Sequence, residues 1–326
     1  MWRRLVTGLM GAWLLLAAAP SGHAESLRVG ILKFGTVRWK MDVIRHHRLD
    51  EAEGFTLDLQ GYGGGDASNV ALMAGEVECI VDDWLWVGRM RADGADLVFA
   101  VPYSSTVGAL VVHRDSGLDS LDDLAGRKIG IAGGPHDKSW LLIRAVAQKE
   151  HGVDLGREAE LAFGAPPLLN EKFLSGELDG VLNYWHYVAR LEARGHVRLY
   201  EVAAAQEYFG VPRTVPQLGF VCRGEVLRAK PGTVEAFARA LRRADAILEK
   251  DDAEWERLRP LTKAENDEVF ATLKRRFREG IVRRWGDEER AAAARLFAVL
   301  AELGGEKLVG RAKTLPEGTF WDRVRW

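Results

Sequence analysis

The sequence predicts an α/β fold of two doubly wound lobes joined by two hinge crossings. Three observations carry that expectation. Short β-prone runs alternate with helical stretches from Leu27 to His113, and the alternation restarts at Lys128. Two of the β runs end in glycine turns that open into helices, Gly63-Gly64-Gly65 and Gly133-Gly134-Pro135. At 326 residues, the chain is long enough to give each half its own core. Strands alternating with helices are the pattern of a parallel sheet covered on both faces.

Leu27–Leu32 alternates into a buried strand, Lys33–Trp39 is the loop behind it, and Lys40–His47 is the first helix. Thr56–Tyr62 is a second strand, and Asp66 after its glycines is a good N-cap for a helix over Ala67–Ala74. Cys79–Val81, Leu97–Val101 and Gly108–His113 are further strands. Lys128–Ala132 then begins the second unit, with Asp137–His151 as its helix. The turn between them leaves backbone N–H groups unpartnered at the positive end of a helix, a seat for a polar or anionic group. Pro135 suits that turn, since proline is tolerated at a helix start.

Glu160–Phe163, Gly180–Leu182 and Val197–Glu201 read as strands, with helices over Asn170–Ser175 and Tyr187–Arg194 between them. Gln217–Arg223 (QLGFVCR) reads as a return crossing. From there the character changes to amphipathic helices rich in Ala, Arg and Glu: Val234–Lys250, Lys263–Glu279 and Asp287–Leu303. The expected division is residues 25–110 with 215–326 as one lobe, carrying the C-terminal helices, and 111–214 as the other. Ligands of open α/β sheets sit beyond the carboxyl ends of the strands, which here would face a cleft between the lobes.

The first 24 residues are read apart from the fold. Arg3 and Arg4 form a basic start, Met10–Ala19 is a short apolar core, and Ala24 follows Gly22 and His23 in a small-x-small pattern. This is the pattern of a secretory signal peptide cut after Ala24, which places the protein in the periplasm. Its apolar core is too short for a spanning helix. Losing Arg3 and Arg4 takes the formal net charge from −2 to −4. A mildly acidic chain with interspersed signs excludes nucleic acid as an expected partner. Cys79 and Cys222 are the only cysteines. In an exported protein they could pair, but spacing cannot show proximity, and two buried free thiols are the expectation.

Four stretches carry a family resemblance: LRVGILKFGTVRW from Leu27, ALMAGEVECIVDDWLWVGRMRADGADL from Ala71, SLDDLAGRKIGIAGGP from Ser120 and FLSGELDGVLNYWHYVARLEARG from Phe173. In order and spacing the chain resembles the periplasmic substrate-binding proteins of ABC importers. The group is the nitrate/sulfonate/taurine and thiamine-pyrimidine-precursor one, called NMT1/THI5-like. The resemblance implies a periplasmic-binding-protein-like type II fold, a small-molecule ligand and an ABC permease at the inner membrane as partner. The chain departs from the group at Asp82-Asp83-Trp84, where many relatives carry small or neutral residues, and at Gly133-Gly134-Pro135-His136-Asp137, where the group often has Gly-Ser or Gly-Ser-Thr toward an anion.

The loops expected at the cleft supply the aromatic candidates Phe34, Trp39, Trp84, Tyr184 and Trp185. They also supply Thr36, Asp66, Asp83, Ser105, His136, Asp137 and the backbone of Gly134 as polar candidates. Aromatic faces hold flat rings or cations, and carboxylates accept from amino groups. The expected ligand is a small organic solute with an aromatic or amine part, with or without an anionic group. Trp84 and Trp185 occupy matching places in the two halves and lead the list. No cofactor or metal is expected. Asp42, His46 and His47 at i, i+4 and i+5 read as a solvated helix face. No enzyme is expected either, because no nucleophile-elbow pattern surrounds Ser104 and Ser105, the serines that could join His136 and Asp137. The alternatives are an exported sensor, an accessory binding protein of a periplasmic oxidation pathway, or an enzyme on the same fold. A monomer is expected.

Overall fold

The computed structural model describes residues 24–326; the expected signal peptide otherwise lies outside the described residues. The strands are β1 (Glu25–Leu32), β2 (Phe55–Tyr62), β3 (Cys79–Asp83), β4 (Leu97–Ser104), β5 (Gly108–Val112), β6 (Lys128–Ala132), β7 (Glu160–Gly164), β8 (Gly180–Tyr184), β9 (Val197–Glu201) and β10 (Leu218–Arg223). They form two five-stranded sheets, ordered β2-β1-β3-β10-β4 and β7-β6-β8-β5-β9.

Each sheet is mixed, where the sequence pattern predicts parallel strands. The physical reason is that each half borrows one strand from the crossing chain. β10 returns from the second half and lies antiparallel between β3 and β4, and β5 arrives from the first half antiparallel to β8 and β9. The outgoing crossing is only Ser105–Val107, and the return runs over 209–217. β5 must start with glycine. A Cβ on Gly108 would lie 2.1 Å from the Asn183 carbonyl oxygen. Both faces of β5 are buried, with Leu110 and Val112 on the main core and Ala109 and Val111 on a smaller one under Phe173 and Leu191.

The expectation of free thiols is overturned: Cys79 and Cys222 form a disulfide. They are 143 residues apart in sequence but stand opposite each other in the β3–β10 ladder. The borrowed strand brings them together, which sequence spacing could not reveal.

Several helices depart from the sequence reading. The first runs over Val37–His46, so Trp39 is helical rather than in the loop. The helix expected to be capped by Asp66 spans Gly65–Ala74 with Gly64 at its cap, which puts Asp66 inside the first turn. Trp84–Ala92 and Asp252–Thr262 are helices with no predicted counterpart. Toward the C-terminus, Pro231–Lys250 packs on the helix Val37–His46, while Asp267–Glu279 packs on Trp185–Ala193 of the second half. Asp287–Gly304 touches both halves: Phe297 lies against Gly88, and Leu141 against Gly304. The C-terminal helices therefore bridge the lobes.

Candidate functional site

Two features occupy the junction of the halves. The first is a knot of charge at the carboxyl ends of β3 and β6. Asp83 caps the helix Trp84–Ala92 by accepting from the Trp86 N–H at 2.8 Å, and its other oxygen takes the Lys138 ammonium at 2.8 Å. Asp137 caps the helix Lys138–His151 through the N–H groups of Ser139 and Trp140. The pair Asp83–Lys138 is thus a direct tie from one sheet's end to the other's. Gly133 and Gly134, at φ of +94° and +101°, give the chain the left-handed turn that brings Asp137 back over its helix.

The electrostatics follow from burial. Burial works against both charges of the tie, but the partners outweigh it. Lys138 therefore holds the Asp83 carboxyl below the usual range, and Asp83 and Asp137 hold the ammonium above the ordinary lysine value. Asp82 forms no salt bridge among the described residues, and Asn69 and the more distant Lys138 offset its burial only in part. Burial, then the neighbouring Asp83 charge, push its carboxyl up to about 7. Burial likewise raises Asp137 and Tyr184.

The second feature is a cavity of about 310 Å³, small for a ligand pocket. Lys33–Thr36, Arg38 and Trp39 wall it from the first half, His186, Tyr187 and Arg190 from the second, and Pro260–Lys263 from the end of the helix Asp252–Thr262. Four of these residues are cationic, Lys33, Arg38, Arg190 and Lys263, and none is acidic. The Lys263 ammonium lies 5.0 Å over the Phe34 ring, and Phe34 is 74% exposed. Burial, then the Arg190 charge, lower His186 to about 3, so the ring is neutral at physiological pH. Its Nδ1 is buried without a hydrogen-bond partner among the described residues.

The cavity gathers Phe34, Thr36 and Trp39 of the sequence-predicted residues; the charge knot gathers Asp83, Asp137 and Tyr184. The side chains of the remaining candidates line neither feature directly. The Trp84 indole is wholly buried, with its N–H donated to the Pro216 carbonyl at 2.9 Å, and so packs in the core. Trp185 is buried edge-on to Trp39, with ring centres 6.0 Å apart, and against Phe277. Ser105 binds the Gly280 carbonyl through its N–H and its hydroxyl, which fastens the outgoing crossing to a C-terminal helix. Asp66 and His136 are exposed, and open space surrounds Gly134. Sequence reasoning missed Lys33, Arg190 and Pro260–Lys263 as cavity walls. No local signal could have found Pro260–Lys263, which join the site only through the packing of a distant helix.

The sequence matches the model of the family described as NMT1/THI5 like over residues 51–253. No curated protein matches it. Among solved structures it is similar to the periplasmic aliphatic sulphonate binding protein SsuA of Escherichia coli, at 17% identity and a TM-score of 0.74, covering 93% of this chain and 94% of that one. It is also similar to the alkanesulfonate-binding protein SsuA of Xanthomonas axonopodis pv. citri bound to MOPS, at 19% identity and a TM-score of 0.68, covering 93% and 100%. A putative periplasmic sulfonate-binding SsuA of Methylobacillus flagellatus gives 14% identity and a TM-score of 0.69, covering 92% of each chain. These likenesses show the fold, the type II periplasmic-binding-protein arrangement, and the family model covers more than half of the chain. The chain belongs to the NMT1/THI5-like family.

Proposed function

We propose that this chain is the exported solute receptor of an ABC importer, holding a small organic anion between its two halves. One observation carries the reading: a cavity walled by both halves, with a cationic rim and aromatic sides. An anionic group would meet Lys33, Arg38 or Lys263, and charged hydrogen bonds are the stronger class. The ring faces of Phe34, Trp39 and Tyr187 would take the apolar part. The sulfonate ligands named for the structural relatives are organic anions of this kind. Because the walls come from both halves, ligand contacts are complete only when the halves are shut, so binding selects the closed form. A membrane permease would then recognise that form.

Native mass spectrometry of protein purified without unfolding tests the reading. The wild type is expected to carry a small organic adduct. Gly35→Trp, which fills the cavity at a residue with room for a side chain, is expected to lose it while keeping its circular dichroism. An adduct retained undiminished in that variant would contradict a ligand in this cavity.

A further inference from the structure

The helices Val37–His46 and Asp252–Thr262 lie side by side and run in opposite senses. One end of the pair walls the cavity, where Trp39 donates its indole N–H to the Leu261 carbonyl. The other end, about 11 Å away at 1.5 Å per residue, brings together His46, His47 and Glu254. We propose that these three residues bind a divalent transition-metal ion of the zinc class, which pins the outer end of the helix pair.

The geometry argues for it in three ways. The nearest ligand atoms of the three residues lie within 4.8 Å of one another. His47 Nε2 and Glu254 Oε2 are 3.3 Å apart. That is the edge between two ligands of a tetrahedral zinc ion, about 3.4 Å for bonds of 2.0–2.1 Å. The ion would sit between these two atoms, with His46 as third ligand and water completing the shell.

Second, the carboxylate is fixed in advance. Glu254 is only 5% exposed, and Arg257 grips both of its oxygens, Oε1 at 2.6 Å and Oε2 at 3.1 Å, so the metal would share Oε2 with the guanidinium. Such outer hydrogen bonds orient metal-binding carboxylates. Third, the charge is favourable. Arg257 also pairs with Asp42 at 2.6 Å, so its positive charge is balanced and Glu254 leaves the cluster one negative charge. Two imidazoles and one carboxylate favour zinc, nickel or copper over magnesium or calcium, which prefer all-oxygen shells.

The simpler role for Glu254, a structural salt bridge to Arg257 with His47 beside it, makes a different prediction for His46, which takes no part in it. The test is isothermal titration of the untagged, chelator-treated full chain with zinc chloride alone. One saturable site at micromolar zinc is expected, with magnesium chloride unable to replace it. His46→Ala is expected to weaken zinc at least tenfold while leaving the metal-free melting temperature unchanged, and Glu254→Gln to weaken it similarly. Zinc is also expected to raise the melting temperature of the wild type but not of His46→Ala. Absence of saturable binding below 100 µM zinc, or equal affinity in wild type and His46→Ala, would overturn the site.

Discussion

Asp82 is the residue whose environment makes the most exposed claim. Its carboxyl is pushed up to about 7 by burial and by Asp83, whereas the unfolded chain ionises it near 4. Between those values the unfolded state has lost the proton and the folded state keeps it, so stability falls as pH rises through this window. His186, lowered to about 3, acts in the opposite sense, since its contribution is lost as pH falls from about 6.5 toward 3. Comparing wild type with Asp82→Asn cancels the histidine. The variant should gain about 2–4 kcal/mol relative to wild type between pH 5 and pH 8 in urea unfolding. An unchanged difference would mean that Asp82 is ionised at both values. Trp185 makes a second claim at this scale. Packed against Trp39 and Phe277, its truncation to alanine should lower stability by about 3–5 kcal/mol, read by thermal melting. The sequence placed Trp185 and Trp84 at matching strand ends but could not tell an indole facing a cleft from one facing a core. That distinction depends on the C-terminal helices, which supply Phe277, and on the return crossing, which supplies Pro216. Phe34 and Thr36 were more legible as cavity walls, because a loop behind the first strand opens at the sheet's carboxyl end whatever covers it; Trp39 also lines the cavity, but from the first helix.

The element on which the halves depend is β10, the strand returned to the first sheet. Its disulfide to β3 closes a 143-residue span that contains the whole second sheet. In the chain-entropy account a loop of that size is worth about 5 kcal/mol. The double variant Cys79→Ser, Cys222→Ser should lose about 2–5 kcal/mol in denaturant unfolding. Loss below about 1 kcal/mol would show that the β3–β10 ladder suffices without the bond. Another element-scale claim rests on Gly108. Alanine there would put a Cβ against the Asn183 carbonyl, so Gly108→Ala should loosen β5 from β8 and raise amide exchange in both strands. Strand positions were largely legible, since alternation and glycine turns are local signals. Strand direction was not, because a β run does not record which sheet edge it will join. Trp84–Ala92 went unread as a helix because its buried residues, Trp84 through Gly88, are consecutive and show no helical period.

At the scale of the whole molecule, two sheets in tandem were legible because the alternation stops and restarts. The seam between them was not, because its partners are far apart in sequence. Asp83 meets Lys138, Arg190 meets Glu265 at 2.6 Å, and Glu192 takes Arg275 and Arg276 at 2.6 and 2.7 Å. These pairs join the two halves in this structure, and the opening proposed above would break them. Lys138→Met removes one tie and leaves Asp83 a buried, unpaired charge, so it should favour the open form. The most direct measurement of the central claim is small-angle X-ray scattering on protein stripped of its co-purified solute by unfolding and refolding. The radius of gyration should rise on stripping and return to its starting value when the released solute is added back. An identical radius with and without solute, in wild type and in Lys138→Met, would contradict a receptor that closes on its ligand.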